Sequence, residues 1–470
     1  MLCGVALGSI GCTMAPRYKR PTAPVPEQWP EGEAYEEVRS SADAPEAMDL
    51  KWREFFTDSK LQEVISLAVA NNRDLRLAAL NVDRVRAQYN IQRAELLPKV
   101  SATGVGTKQR TSADFSSDGV STIEEAYSAN LGVAAWELDF FGRIRSLKNQ
   151  ALDEYLATAE ARRGAQISLV SEVARVYLTL AADQENLQLA QSTFDTQQKA
   201  YELVRQRFEA GLATRLDLRR AQTPVEVARV DIASYSQQVA QDMNALNLLT
   251  GSPAPRELLP ANLSEVIPPR EVAAGLSSET LLQRPDVMAA EYRLKGAYAF
   301  IGAARAAFFP RISLTSSIGT ASSELDGLFD EGRDTWMFSP QAVMPIFDAR
   351  TWAGLRISKV EREIALTQYE KAIQSAFRDV ADALAVKGTI DRRVAAQQSL
   401  VEAVSETYTL SEQRFSKGID SYLGVLDAQR SLFAAQQVLI NLRLAKYASN
   451  VALYAVLGGG ADQPGQEDAE

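Results

Sequence analysis

Two 67-residue stretches, 144–210 and 351–417, contain no proline and space their apolar residues for a helix. In the first, Ile167, Val170, Val173, Ala174, Tyr177 and Leu180 fall at helical intervals. At 1.5 Å per residue each stretch predicts a helix about 100 Å long. Each ends at a glycine, Gly211 or Gly418, and a shorter helical pattern returns over 216–250 or 422–457. A soluble coiled-coil rod is the usual destination of such patterns.

The two stretches belong to a duplication. "YELVRQRFEAG" from Tyr201 matches "YTLSEQRFSKG" from Tyr408, and "LDFFGR" from Leu138 matches "PIFDAR" from Pro345, both at an offset of 207 residues. Upstream, "RAELLPKVS" from Arg93 pairs with "RAAFFPRIS" from Arg305 at an offset of 212, so the first copy carries five extra residues between Pro98 and Leu138. Copy one spans 61–260 and copy two 261–460, beyond the period of small solenoid repeats. Ahead of each long helix the period changes to two. Val100, Ala102, Gly104 and Gly106, then Leu131, Val133 and Ala135, predict a hairpin over 99–138, and Ile312 to Ile318 with Trp336 to Met344 predict its counterpart over 311–347. Short helices near 75–97 and 285–309 precede the hairpins.

Four strands per chain cannot close a membrane barrel, which needs at least about eight. Closure therefore demands several chains; three would supply twelve strands, and the residues alone leave dimer, trimer and tetramer open.

Composition removes several classes of function. With no histidine and a formal net charge of −10, nucleic-acid binding is disfavoured, as is His-based acid–base or metal chemistry. No nucleophile motif or paired-carboxylate motif stands out, so neither an enzyme nor a metal or cofactor site is expected. Both cysteines, Cys3 and Cys12, lie in the first twelve residues, which excludes an internal disulfide framework. No later segment has 18 consecutive apolar residues, so membrane crossing would have to use strands. The first eleven residues, leading into "SIGC" at 9–12, resemble a bacterial lipoprotein signal with a covalent lipid destined for Cys12, although Ser9 replaces the usual Leu and no basic segment comes first. An unstructured end is the alternative. The proline-rich run after Cys12 reads as a tether within 12–60, and 461–470 as a solvated acidic tail.

"GCTMAPRYKRPTAPVPEQW", "WELDFFGRIRS" at Trp136, the "ELLPKVS" and "AFFPRIS" pair, and "YLGVLDAQRSLFAAQQVLINLRLAKYASNVALYAVLGGG" together resemble the TolC/OprM family of outer membrane efflux proteins. The likeness runs from Cys12 to Gly460 and is nearest to the lipoprotein branch that serves resistance-nodulation-division multidrug pumps. It implies a mainly α chain with membrane β-strands. The implied assembly is a homotrimer sharing a twelve-stranded barrel in the outer membrane, continued by a long α-helical barrel in the periplasm. The implied partners are outer membrane lipid, a periplasmic adaptor and an inner-membrane transporter.

The resemblance also implies roles for the repeated turns. Gly211, Leu212, Thr214, Gly418, Ile419 and Tyr422 match the adaptor-facing turns. Leu423 matches an apolar constriction, Asp427 an acidic ring, and Arg430 belongs to the same gate segment. Three Asp427 carboxylates around a threefold axis would repel one another and favour a cation or an Arg partner. The plain alternative is core packing for Leu423 and a local i, i+3 pair between Asp427 and Arg430. The copies differ in charge here. Arg215, Arg219 and Arg220 make the first turn basic beside Asp217, whereas Asp420 and Asp427 make the second acidic. Ion pairs between the turns could latch a closed state, and a solvated basic face is the other reading. A periplasmic helical scaffold or adaptor without a pore is the competing function.

Overall fold

The computed structural model describes residues 13–35, 47, 50–273 and 277–460. Its helices and strands, in order, are α1 (Trp52–Phe55), α2 (Ser59–Asn71), α3 (Arg73–Ala94), β1 (Val100–Thr111), β2 (Thr122–Leu138), α4 (Arg143–Glu209), α5 (Arg215–Thr250), α6 (Pro285–Ala306), β3 (Arg311–Ser322), β4 (Asp334–Val343), α7 (Ala349–Ser416) and α8 (Tyr422–Val456). The order helix, two strands, long helix, returning helix therefore occurs twice. Both long and both returning helices lie within two residues of the expected bounds.

Local chemistry explains the punctuation. The helical pattern before the first hairpin breaks at Asn72, which is extended (φ −61°, ψ 131°). Its Oδ1 accepts from the Leu75 N–H at 2.9 Å and its Nδ2 donates to the Leu249 carbonyl at 3.0 Å. One side chain thus starts α3 and ties it to the end of α5. Pro285 opens α6, where a missing N–H is harmless. Pro224 lies inside α5, so the Arg220 carbonyl loses its intrahelical donor while the helix carries on.

The chain forms two compact units. The first comprises residues 1–22, 81–159 and 289–369 and contains the sheet. Its four strands lie in the order β1-β2-β3-β4, all antiparallel. Val100 faces Val133 in the first pair, Leu138 faces Ile312 in the second, and Arg311 faces Val343 in the third. Gly132 and Gly319 let β2 and β3 approach: a Cβ would lie 2.3 Å from the Ser316 carbonyl oxygen or 2.1 Å from that of Ala129. A bulge between Val133 and Trp136 puts Ala135 at φ 49°, and its N–H donates to Thr315 Oγ1 at 3.0 Å. Phe141 stacks on Phe309, and Phe308 meets Trp352 edge-on, both at 4.9 Å between ring centroids. Glu137 accepts from Arg143 through both carboxylate oxygens at 2.8 Å.

The N-terminal segment is fixed along α6 in this unit. The Met14 carbonyl accepts from Arg305 Nη1 at 3.1 Å, and Tyr18 meets Tyr298 edge-on at 5.5 Å. Buried Glu291 accepts from Tyr18 Oη at 3.0 Å and from Arg20 Nη2 at 2.7 Å. Cys12, the expected lipid site, lies outside the described residues.

The second unit comprises 23–80, 160–288 and 370–470. At its core Phe55 stacks on Tyr454 at 3.9 Å, and Tyr454 Oη donates to the Leu50 carbonyl at 2.7 Å. Trp29 stacks on Phe377 at 5.3 Å, and the Gly388 position leaves room for the Ala34 carbonyl. Glu185 of α4 binds Arg443 of α8 at 3.1 Å and also accepts from the Leu263 N–H at 3.0 Å. Among the described residues no helix is long and apolar enough to cross a membrane.

Candidate gating turns

Both glycine turns are built alike. Gly211 has φ 81°; its N–H donates to the Phe208 carbonyl at 2.9 Å, and the Leu212 N–H to the Arg207 carbonyl at 2.7 Å. Gly418 has φ 73°; its N–H donates to the Phe415 carbonyl at 2.9 Å, and the Ile419 N–H to the Arg414 carbonyl at 2.9 Å. This paired return of N–H groups to the last carbonyls is the Schellman ending, which requires a left-handed residue.

The next helix starts differently in each turn. Thr214 caps α5: its Oγ1 accepts from the Asp217 N–H at 3.2 Å, while Asp217 Oδ2 accepts from the Thr214 N–H at 3.0 Å. The Thr214 hydroxyl, which donates to Asp217 Oδ2 at 2.6 Å, and the Thr214 N–H together hold the Asp217 carboxyl below the usual range. Ser421 precedes α8 without a side-chain cap. Instead Arg414, at the end of α7, grips Asp420, with Nη2 to Oδ1 at 3.3 Å. That pairing lowers the Asp420 carboxyl.

The gate candidates share one side of α8. Leu423 is 55% exposed, and Asp427 and Arg430 are exposed, whereas Val425, Ala428 and Gln429 are buried on the other side. Arg430 Nη2 donates to Asp427 Oδ1 at 2.7 Å, the local pair that the spacing allows. The latch candidates do not meet across the turns within one chain. Arg219 donates to Gln222 at 2.6 Å, Arg215 and Arg220 are exposed, and Asp217 and Asp420 are engaged in their own turns. What joins the turns is an aromatic contact: the Arg207 guanidinium lies 5.7 Å from the Phe415 ring, and Phe415 lies 5.1 Å from Tyr422. Burial, with Tyr408 nearby, pushes Tyr422 up to about 12, and its sealed hydroxyl has no hydrogen-bond partner among the described residues.

The description "Outer membrane efflux protein" fits this chain over residues 64–252 and 276–459, as judged by that family's sequence model. The probable efflux pump outer membrane protein TtgC of Pseudomonas putida is 48% identical over 462 residues, covering 98% of this chain and 95% of the relative. The chain belongs to the outer membrane efflux protein family. OprJ of Pseudomonas aeruginosa, an outer membrane protein, is 40% identical over 467 residues, covering 98% of this chain and 95% of its own. The open-state outer membrane channel MtrE of Neisseria gonorrhoeae superposes with a TM-score of 0.86 at 37% identity, covering 96% of this chain and 99% of that one.

For a member of this transport family, the turns hold residues that motif matching passes over. Arg207 and Arg414 occupy the same place in the two copies, yet one lies over the partner turn's Phe415 and the other clamps Asp420. The signal was available in the alignment of the copies: Ala213 stands where copy two has Asp420, so only the second arginine has an acid to hold. Among the described residues, no three His, Cys, Asp or Glu side chains gather in a metal-holding group.

Proposed function

We propose that this chain is the outer membrane exit duct of a tripartite efflux pump, acting as a homotrimer. Its partners would be a periplasmic adaptor and an inner-membrane resistance-nodulation-division transporter, which supplies the energy. The observation that carries the reading is the sheet: β1 and β4 each pair on one side only, so its two edges await strands. In the segments that lead into β1 and out of β4, Ile91 and Leu97 on the first, and Trp352, Ile357, Val360 and Ile364 on the second, are all more than half exposed. Edge-to-edge addition of three copies would close twelve strands and cover these apolar residues with the same contact. Relatives named as efflux pump outer membrane proteins, for toluene and antibiotics in Pseudomonas putida, support the pump assignment.

The finer roles follow from this reading. The duplicated unit supplies two helical hairpins per chain, whose turns receive the adaptor. The exposed Leu423, Asp427 and Arg430 line a periplasmic gate, and Arg215, Arg219 and Arg220 latch it by drawing Asp420 and Asp427 of a neighbouring copy away from their local arginines. A lipid on Cys12 anchors the chain; the fixed path of Met14 to Arg20 along α6 supports an anchor near the start of β3.

The experiment is expression in a bacterium lacking its own outer membrane efflux component. Resistance to several unrelated compounds should return, and the protein should fractionate with outer membrane as an oligomer that heat dissociates. A monomer found in the soluble periplasmic fraction would instead establish the scaffold reading.

A further inference from the structure

Away from the turns, in the second unit, Asp183 of α4 and Asp242 of α5 meet side chain to side chain in the seam of the first helical hairpin. Two ionised carboxylates are both acceptors, so a hydrogen bond between them needs a proton. Asp242 Oδ2 is sealed from solvent and finds no donor among the described residues. Asn186, three residues beyond Asp183 and acting on it, is 2% exposed, and among the described residues its own Oδ1 has no hydrogen-bond partner. A shared proton supplies the donor that this group of acceptors lacks.

The surroundings do not offer a substitute cation. On α4, Arg175 acts on Asp242 but is held by Glu172, its partner one turn earlier. On α5, Tyr235 faces Asp183 and, on its other side, Asp231, and from α8 Gln437 donates to Tyr235 Oη at 3.0 Å. The second hairpin provides a control. At the offset of 207 residues, Ile390 replaces Asp183 and Ser449 replaces Asp242, and both are buried. At these positions the second seam is therefore closed without a carboxyl pair, and beside them Lys446 of α8 meets Asp391 of α7 as an ordinary ion pair.

We propose that Asp183 and Asp242 form a proton-operated clasp between α4 and α5, closed while the pair holds a proton and loosened when both carboxyls ionise. Burial raises both groups, and the charge of Asp183 helps to push Asp242 up to about 6. A carboxyl raised in the folded state contributes its stability fully below the ordinary range, and that stability is lost as pH rises through about 6. The first hairpin should thus tighten in acid and loosen near neutrality, while the second stays indifferent. A rise of roughly two units sets a ceiling of about a hundredfold on the opening equilibrium, and partial solvent access brings the expected change to about tenfold.

Hydrogen exchange of the full-length protein tests this at about pH 5 and about pH 7.5, with rates corrected for intrinsic chemistry. Amides around Asp183 and Asp242 should exchange about tenfold faster at the higher pH, and those around Ile390 and Ser449 should not change. Asp242→Asn and Asp183→Asn, which keep a hydrogen bond without ionising, should abolish the difference, whereas Asp231→Asn should preserve it. Equal corrected rates in the unaltered protein would overturn the clasp, as would a difference that survives in both asparagine variants or disappears in Asp231→Asn. If calcium or magnesium at the higher pH restores slow exchange as well as acid does, the pair is a cation site and the proton clasp is wrong.

Discussion

At the scale of single residues, the two glycines of the turns carry the clearest cost. Around both Gly211 and Gly418 an added Cβ would meet nothing within 4 Å, so space is not what selects glycine. Their φ values of 81° and 73° are. Gly211→Ala or Gly418→Ala should each destabilise its hairpin by about 1–2 kcal/mol, read from thermal unfolding, with Asn at either position costing less. A change within error for alanine would mean that the turn relaxes to another ending. Asp427 makes a different kind of prediction. Among the described residues its carboxylate bonds to Arg430, on an exposed face, and an exposed pair of this type stabilises a helix by well under about 1 kcal/mol. Asp427→Ala should therefore leave folding intact while raising pore conductance and antibiotic influx several-fold. Unchanged conductance would return Asp427 and Arg430 to the role of a surface pair.

At the scale of elements, the two returning helices show which features the sequence displays and which it hides. The proline-free runs, the glycine stops and the change to period two before each hairpin are local signals, and the helices and strands fall where those signals end. The Asn72 break is harder to see, because it depends on a bond to the Leu249 carbonyl far along the chain. Likewise, Leu423, Asp427 and Arg430 stand out by resemblance, but their common exposed side, opposite Val425, Ala428 and Gln429, is set by tertiary packing. Charge counting places Asp420 in a latch; the fold first gives it to Arg414. Consequently Arg414→Ala should free the start of α8, which has no side-chain cap, and speed limited proteolysis near Gly418. The first turn, held by Thr214 and Asp217, should be unaffected. Acid tests the same point. Asp217 and Asp420 are both held below the usual carboxyl range, so their support is present above that range and is lost as pH falls through their lowered values. Proteolysis of both turns should rise in strong acid, and Arg414→Ala should remove that response from the second turn alone.

For the whole molecule, the decisive quantity is assembly, which one chain's sequence leaves open because four alternating strands fit more than one closed ring. The sheet narrows the question through its edges and the apolar residues beside them. Trp352 of α7, 66% exposed, and Ile91 of α3, 69% exposed, are large apolar side chains on the helices that adjoin the two edge strands, β4 and β1, in the chain. Burying such a side chain on assembly is worth about 1.5–3 kcal/mol, and each ring of three copies would repeat that gain three times. Ile91→Glu or Trp352→Glu should reduce the heat-dissociable oligomer at least tenfold at a given protein concentration, since one lost contact of about 1.4 kcal/mol is already tenfold. Leu325→Glu serves as the comparison: it is also exposed, at 64%, but lies in the loop between β3 and β4, at the opposite end of the strands from α3 and α7. If all three variants weaken the oligomer equally, loss of surface hydrophobicity rather than a specific contact is responsible. If only the flank variants do, the two sides of the sheet are the surfaces through which copies join.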